Sequence, residues 1–144
     1  MENYDIVREH HFELISWKDT INLSVRSIPE FDAIKLNWIS YTTDTTGLKQ
    51  IALRIQNIEE CNKSAYQSLD GSEVREYFFG TYLDTRSSVL IFQENSKPPI
   101  DINTRKLLTN FSYEIYINNE TSYSGIGVSN PVFCEIAFLK KKKF

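Results

Sequence analysis

Apolar and polar residues alternate in short runs along the whole chain, and no stretch repeats apolar residues at helical spacing. Ile21, Leu23 and Val25 alternate with polar neighbours, as do Ile51, Leu53 and Ile55, and Phe111, Tyr113, Ile115 and Ile117. A period of two places successive side chains on opposite faces of an extended strand, so each run predicts a half-buried strand. A chain of such strands buries its apolar faces by closing into a sandwich or barrel.

The pattern predicts eight strands, over about 11–16, 20–27, 31–43, 48–58, 76–83, 88–92, 107–118 and 132–139. Pro29 breaks the ladder after the second because it has no N–H to donate. In the third, Ile34, Leu36 and Trp38 share one face, and Ala33, Ile39 and Tyr41 the other. In the fifth, Tyr77, Phe79 and Leu83 lie opposite Phe78 and Tyr82. Turn chemistry marks Trp17-Lys18-Asp19, Asp44-Thr45-Thr46-Gly47, Asp84-Thr85-Arg86-Ser87 and Asn118-Asn119-Glu120. Two longer connections stand out: Glu59 to Arg75, with room for a short helix, and Gln93 to Arg105, stiffened by Pro98-Pro99. Tight turns mixed with long connections are the texture of a jelly roll. The expected fold is therefore an all-β, eight-stranded antiparallel jelly-roll β-sandwich in one domain over residues 11–139. An N-terminal arm (1–10) and a basic C-terminal tail (140–144) flank it. An immunoglobulin-like sandwich is the alternative, but Trp38 is not bracketed by cysteines as that fold requires.

Composition narrows the reading only slightly. A chain of 144 residues, 41% hydrophobic and 24% charged, is an ordinary single globular domain. Net charge is −3, which argues against nucleic-acid binding by the body of the domain. Without the run Lys140, Lys141, Lys142 and Lys143 it would be −7. The first residues show no basic and apolar leader, and no apolar run reaches membrane-spanning length, so the expectation is an intracellular product with free thiols at Cys61 and Cys134 and no membrane contact. Whether the two cysteines pair is left open. Glycosylation sequons at Asn22, Asn62, Asn110 and Asn119 are expected to be coincidental.

Candidate chemistry is sparse. His10 and His11, the two histidines, point to opposite faces of one strand and chelate a single ion poorly. Cys134 sits where a small core hydrophobe would sit, and such a thiol is usually inert. Asp84, Glu94, Asp101, Glu114 and Glu135 are scattered over turns and solvated faces, with no spacing that demands a shared cleft. No phosphate-cradling loop or nucleophile elbow occurs. The expectation is a chain without catalytic, cofactor or metal sites. Two features remain as candidates. Phe78 and Tyr82, beside Tyr77 and Phe79, are either part of a strand buried on both sides or, if exposed, an interface with another subunit or a stacking platform. Lys140 to Lys143 form either a solvated end or a short arm giving weak, salt-sensitive contact to nucleic acid or an acidic partner.

The segment Tyr77-Phe78-Phe79-Gly80-Thr81-Tyr82-Leu83 is followed by Ser88-Val89-Leu90-Ile91-Phe92 and by Pro98-Pro99. Then come Leu107 to Ile117, a loose loop, and Asn130 to Phe138. Together with Ile34 to Ser40 and Ile51 to Ile55 upstream, this order resembles the single jelly-roll capsid proteins of large double-stranded DNA viruses and virophages. The resemblance is one of strand order and punctuation over residues 11–139, without an invariant motif. It implies a non-enzymatic minor capsid, penton-like or cement protein of the virion, assembled inside the host cell. Its partners would be copies of itself and other capsid proteins. Penton proteins of this type tend to be longer, which favours a small cement or vertex-associated subunit. The competing expectation is a ligand-binding β-sandwich, either a carbohydrate-binding or a trimeric receptor-binding module.

Overall fold

The computed structural model describes residues 3–42, 47–85 and 90–143. Among them eleven strands form: β1 (Tyr4–Leu14), β2 (Lys18–Asn22), β3 (Ile28–Thr42), β4 (Gly47–Ile55), β5 (Ser64–Gln67), β6 (Val74–Tyr77), β7 (Phe79–Thr85), β8 (Leu90–Glu94), β9 (Ile100–Leu108), β10 (Asn110–Ile117) and β11 (Val132–Lys141). One short 3-10 turn, Glu59–Cys61, is the helical element. The predicted turn at residues 44–46, the turn residues Arg86 and Ser87, and the strand start at Ser88 lie outside the described residues.

All ladders are antiparallel. One sheet has the order β1-β11-β3-β8, with β9 also pairing β3; the other has the order β2-β10-β4-β7. The pairing is nested: β1 with β11, β2 with β10, β3 with β8 and β9, β4 with β7. That is a chain doubled back on itself and wound into two sheets, the jelly roll. The eight winding positions match the eight expected strands. The larger count arises because β8 and β9 share one position and a β5–β6 hairpin is added between β4 and β7.

Three strands escaped the pattern for a common reason. β5 and β6 form a four-residue hairpin in which no side chain is buried. β9 is an edge strand that buries only Ile102 and Leu108, so its apolar signal is too thin to read. The flanking segments need correction too. Residues 1–10 are not a free arm, since β1 starts at Tyr4 and pairs Tyr4 with Lys141. A bulge between Ile6 and Arg8 disrupts its alternation. Residues 140 and 141 are not a tail but the end of β11. In the second strand the alternation stops early: Leu23 is buried, whereas Val25 is 98% exposed in the turn after β2.

The strand β3 changes phase. Its ladder with β11 shifts between Glu135 and Ile136, so Trp38 pairs Glu135 while Leu36 pairs Ile136. The extra residue, Asn37, is a bulge, and a bulge swaps the faces that follow it. Ile34 and Leu36 before it, and Ile39 and Tyr41 after it, all join the main core, whereas Trp38 is only half-buried. The straight period-two reading had put Trp38 with Ile34 and Leu36. Ala33 belongs with Ala137 and Leu139 in a small second cluster capped by Tyr4.

The main core fills the space between the sheets. Phe12 from one sheet stacks on Phe111 from the other, centroids 4.0 Å apart and planes at 18°. Tyr113, Ile115 and Ile117 on β10 and Ile51, Leu53 and Ile55 on β4 meet Ile136, Phe138 and Leu36 across the gap. Asn118 and Asn119 adopt positive φ of 52° and 61°, closing the predicted turn after β10.

Candidate functional site

The aromatic candidates separate. Phe78 lies between β6 and β7, where its N–H bonds the carbonyl of Leu53 at 2.8 Å. This kink at the entry to β7 lets consecutive residues turn inward, so Phe78 and Phe79 are each only 4% exposed. Phe78 is therefore a core residue, not an interface aromatic. Tyr82 is 64% exposed on β7. The stretch offers no row of exposed rings for stacking a sugar or a base. A Cβ on Gly80 would come within 2.6 Å of the Tyr77 ring, so any larger residue there has to displace that ring.

The lysine run is built into an acid-lined sheet corner. The backbone N–H of Lys141 donates to Asp32 at 2.8 Å, and its ammonium meets Asp101 at 2.9 Å. Asp101 also accepts from the Tyr4 hydroxyl at 2.8 Å. Burial and that bond push the Tyr4 phenol up to about 12. Lys142 lies 3.9 Å from Asp5, and its N–H donates to the Asn3 carbonyl. These exposed pairs add little stability, but they neutralise half of the charge that an arm would offer to phosphates. Lys140 and Lys143 have no ion-pair partner among the described residues.

The histidines diverge as the strand geometry requires. His10 packs its ring 4.4 Å from Phe12, and burial lowers its pKa, with Arg8 adding to the effect. His11 faces outward and pairs with Glu135. Among the described residues no group of three potential ligands could hold a metal. Cys134 is fully buried, and burial pushes its thiol up to about 12.

A polar cluster around Glu135 lies on the outer face of this sheet. The Asn37 amide donates to Glu9 and to Glu135, each at 2.8 Å, and the Trp38 indole N–H reaches Glu135 at 3.3 Å. The bulge at Asn37 aims these donors outward. The hydrogen bond to Glu135, then burial, raises the Glu9 carboxyl above its ordinary value. Burial pushes Glu135 upward too, but bonds from Asn37, Glu9 and His11 outweigh it and leave that carboxyl lowered. Glu9 thus gives up its proton at higher pH than an ordinary carboxyl, and Glu135 at lower pH. No pattern along the chain announces this cluster, because residues 9, 37 and 135 are distant from one another in it. The raised Glu9 value contributes stability at low pH that is lost as pH rises through it. The lowered Glu135 value contributes stability above the ordinary carboxyl range that is lost as pH falls through it. Glu9→Gln removes the first dependence and keeps an amide against Glu135. Its melting temperature is expected to exceed the parent's at pH 7 and to match it near pH 4, by calorimetry across that range. An offset independent of pH would contradict the assignment.

Among the described residues the exposed large apolar side chains are Ile6, Ile15, Val25, Leu69, Val74, Tyr82, Leu107 and Val128. The Arg75 Nε on β6 donates to the Asn119 carbonyl at 3.1 Å, tying the β5–β6 hairpin to the start of the β10–β11 connection. The hairpin tip therefore projects at the end of the sandwich where that connection runs. Leu69 on the tip is 109% exposed and Val128 in the connection 79%. Ile15, in the β1–β2 turn, is 42% exposed, and Ile115 bonds the neighbouring Trp17 carbonyl at this same end. Tyr82 pairs with Gln50, whose N–H is held by the Asn118 side chain. Ile15, Leu69, Tyr82 and Val128 thus sit on segments joined at one end, whereas Val25, after β2, and Leu107, on β9, lie apart from them.

No protein-family model and no curated protein matches this chain. Among solved structures it is similar to a chain in a cryo-electron-microscopy structure of Mud Crab Dicistrovirus, at a TM-score of 0.19 and 9% identity, covering 95% of this chain and 69% of that one.

Proposed function

We propose that this protein is a non-enzymatic structural subunit of a virion, a minor capsid, cement or vertex-associated protein that assembles with itself and with other capsid proteins. The observation that carries the reading is the exposure of Ile15, Leu69, Tyr82 and Val128 on segments that are joined at one end of a jelly roll. A second chain docked at that end would take these side chains out of water. Strand order and punctuation over residues 11–139 support the viral setting through their resemblance to single jelly-roll capsid proteins. The half-neutralised lysine corner supports at most a weak contact with nucleic acid. The carbohydrate-binding alternative loses its platform with Phe78 in the core.

Leu69→Asp combined with Val128→Asp tests the surface. Both side chains lie in solvent, so unfolding free energy should change by no more than about 0.5 kcal/mol for each. Light scattering after size exclusion is expected to show an oligomer for the parent and a monomer for the double variant. The parent should also be detected in purified particles. A parent that stays monomeric and is absent from particles would overturn the proposal.

A further inference from the structure

The split edge position beside β3 leaves a notch in the wall of the sandwich. β8 pairs residues 38–42 of β3, and β9 takes over at Ile34 and continues to Ile28. Between them the ladder cannot continue, because Pro98 and Pro99 have no N–H to donate. Asn95 caps the gap instead: its side-chain amide donates to the Leu36 carbonyl at 2.6 Å and its N–H to the Asn37 carbonyl at 2.9 Å. The chain then bows away from β3. Behind the bow lies a cavity of about 210 Å³, with Ile34, Leu36, Phe78 and Phe79 among its apolar walls and Lys35 and Lys97 at its margin.

The charge at this notch is unbalanced. Lys35 Nζ donates to the Asn95 carbonyl at 2.9 Å, and Lys97 Nζ lies 5.7 Å from the centre of the Phe79 ring. Neither lysine has a carboxylate partner among the described residues, and no carboxylate lines the cavity. Two ammonium groups beside an apolar hole complement a molecule with a greasy body and one negative end. Size limits the body: an apolar cavity of about 150 Å³ takes up benzene, so this one has room for a ring and a short arm. We propose that the notch binds a small apolar carboxylic acid, its hydrocarbon against Phe78, Phe79 and Ile34 and its carboxylate at Lys35 and Lys97. This binding does not depend on the assembly role.

The test is titration of the full chain, methyl-labelled at isoleucine, with 3-phenylpropionate and with the neutral 3-phenylpropanol, followed by NMR. The acid is expected to shift Ile34 and Ile100, and to bind about tenfold or more tighter than the alcohol. Lys97→Met keeps the apolar stem of an exposed residue and should erase most of that preference while the spectrum stays folded. Lack of binding by either compound up to about 10 mM would overturn the proposal. So would equal binding of both, or shifts confined to Ile6, the isoleucine beside the Lys140–Lys143 corner.

Discussion

Phe111→Ala is expected to lower the unfolding free energy by about 3–5 kcal/mol, the range for removing a large aromatic from a packed core. Phe111 is fully buried on β10, stacked on Phe12 at 4.0 Å and 6.0 Å from Tyr113. Its ring bridges the two sheets, so the void left behind is walled by two ladders that cannot both move inward. Domains of this size are held by only about 5–15 kcal/mol, so the loss is a large fraction of the total. Urea unfolding should show a lower midpoint with an unchanged slope. Adding Phe12→Ala should bring less than its separate loss, because the stacked pair contributes about 0.5–1.5 kcal/mol beyond its buried area. A loss under about 1 kcal/mol would show that the sheets repack freely.

The second large effect comes from a polar residue. Asn62 is 5% exposed, and its side chain serves as a strand partner for Ile55. The Asn62 Oδ1 accepts the Ile55 N–H at 3.1 Å, and its Nδ2 donates to the Ile55 carbonyl at 2.9 Å. The pairing of β4 with β7 reaches only Leu53 opposite Phe79, so these two groups lie beyond the ladder. Asn62→Ala strands both, and each unmatched buried group costs about 1–3 kcal/mol. The expected loss is about 2–6 kcal/mol. Asn62→Asp separates this mechanism from a packing effect. A protonated Asp donates to the carbonyl and accepts from the N–H, whereas an ionised one sets charge against the carbonyl. Its folded-state pKa is then raised, so stability is kept below the unfolded value near 3.9 and lost as pH rises through the folded one. Chemical unfolding of Asn62→Asp at several pH values should show that fall, and Asn62→Ala should track the parent. A pH-independent Asp variant would refute the role.

These positions also show how far the residues could be read before the fold was known. Phe111, Ile115 and Ile51 announce themselves by alternation, because a strand with one face on a core must repeat with period two. That was enough to establish the all-β class and the approximate places of eight strands. Asn37 shows the limit: one bulged residue reverses the face of everything after it, and nothing at Asn37 marks it. β9 and the start of β1 bury few side chains, so edge pairing rather than apolar pattern holds them. Of the candidate residues, Tyr82 is exposed, while Phe78 is hidden by a kink that periodicity does not foresee. The lysines looked like a free end because their partners, Asp5, Asp32 and Asp101, meet them only through the sheet. The Glu9–Glu135 cluster and the notch at Asn95 likewise exist only in three dimensions.

The nested ladders also set a timetable for the newborn polypeptide. His11 is bonded to Glu135, 124 positions away, so β1 leaves the ribosome long before its partner β11. At about 5–20 residues per second, β1 waits roughly 6–25 seconds with an unmatched edge. Contacts so distant along the chain place folding in the slow regime of milliseconds to seconds, and holding chaperones are most needed before β11 emerges.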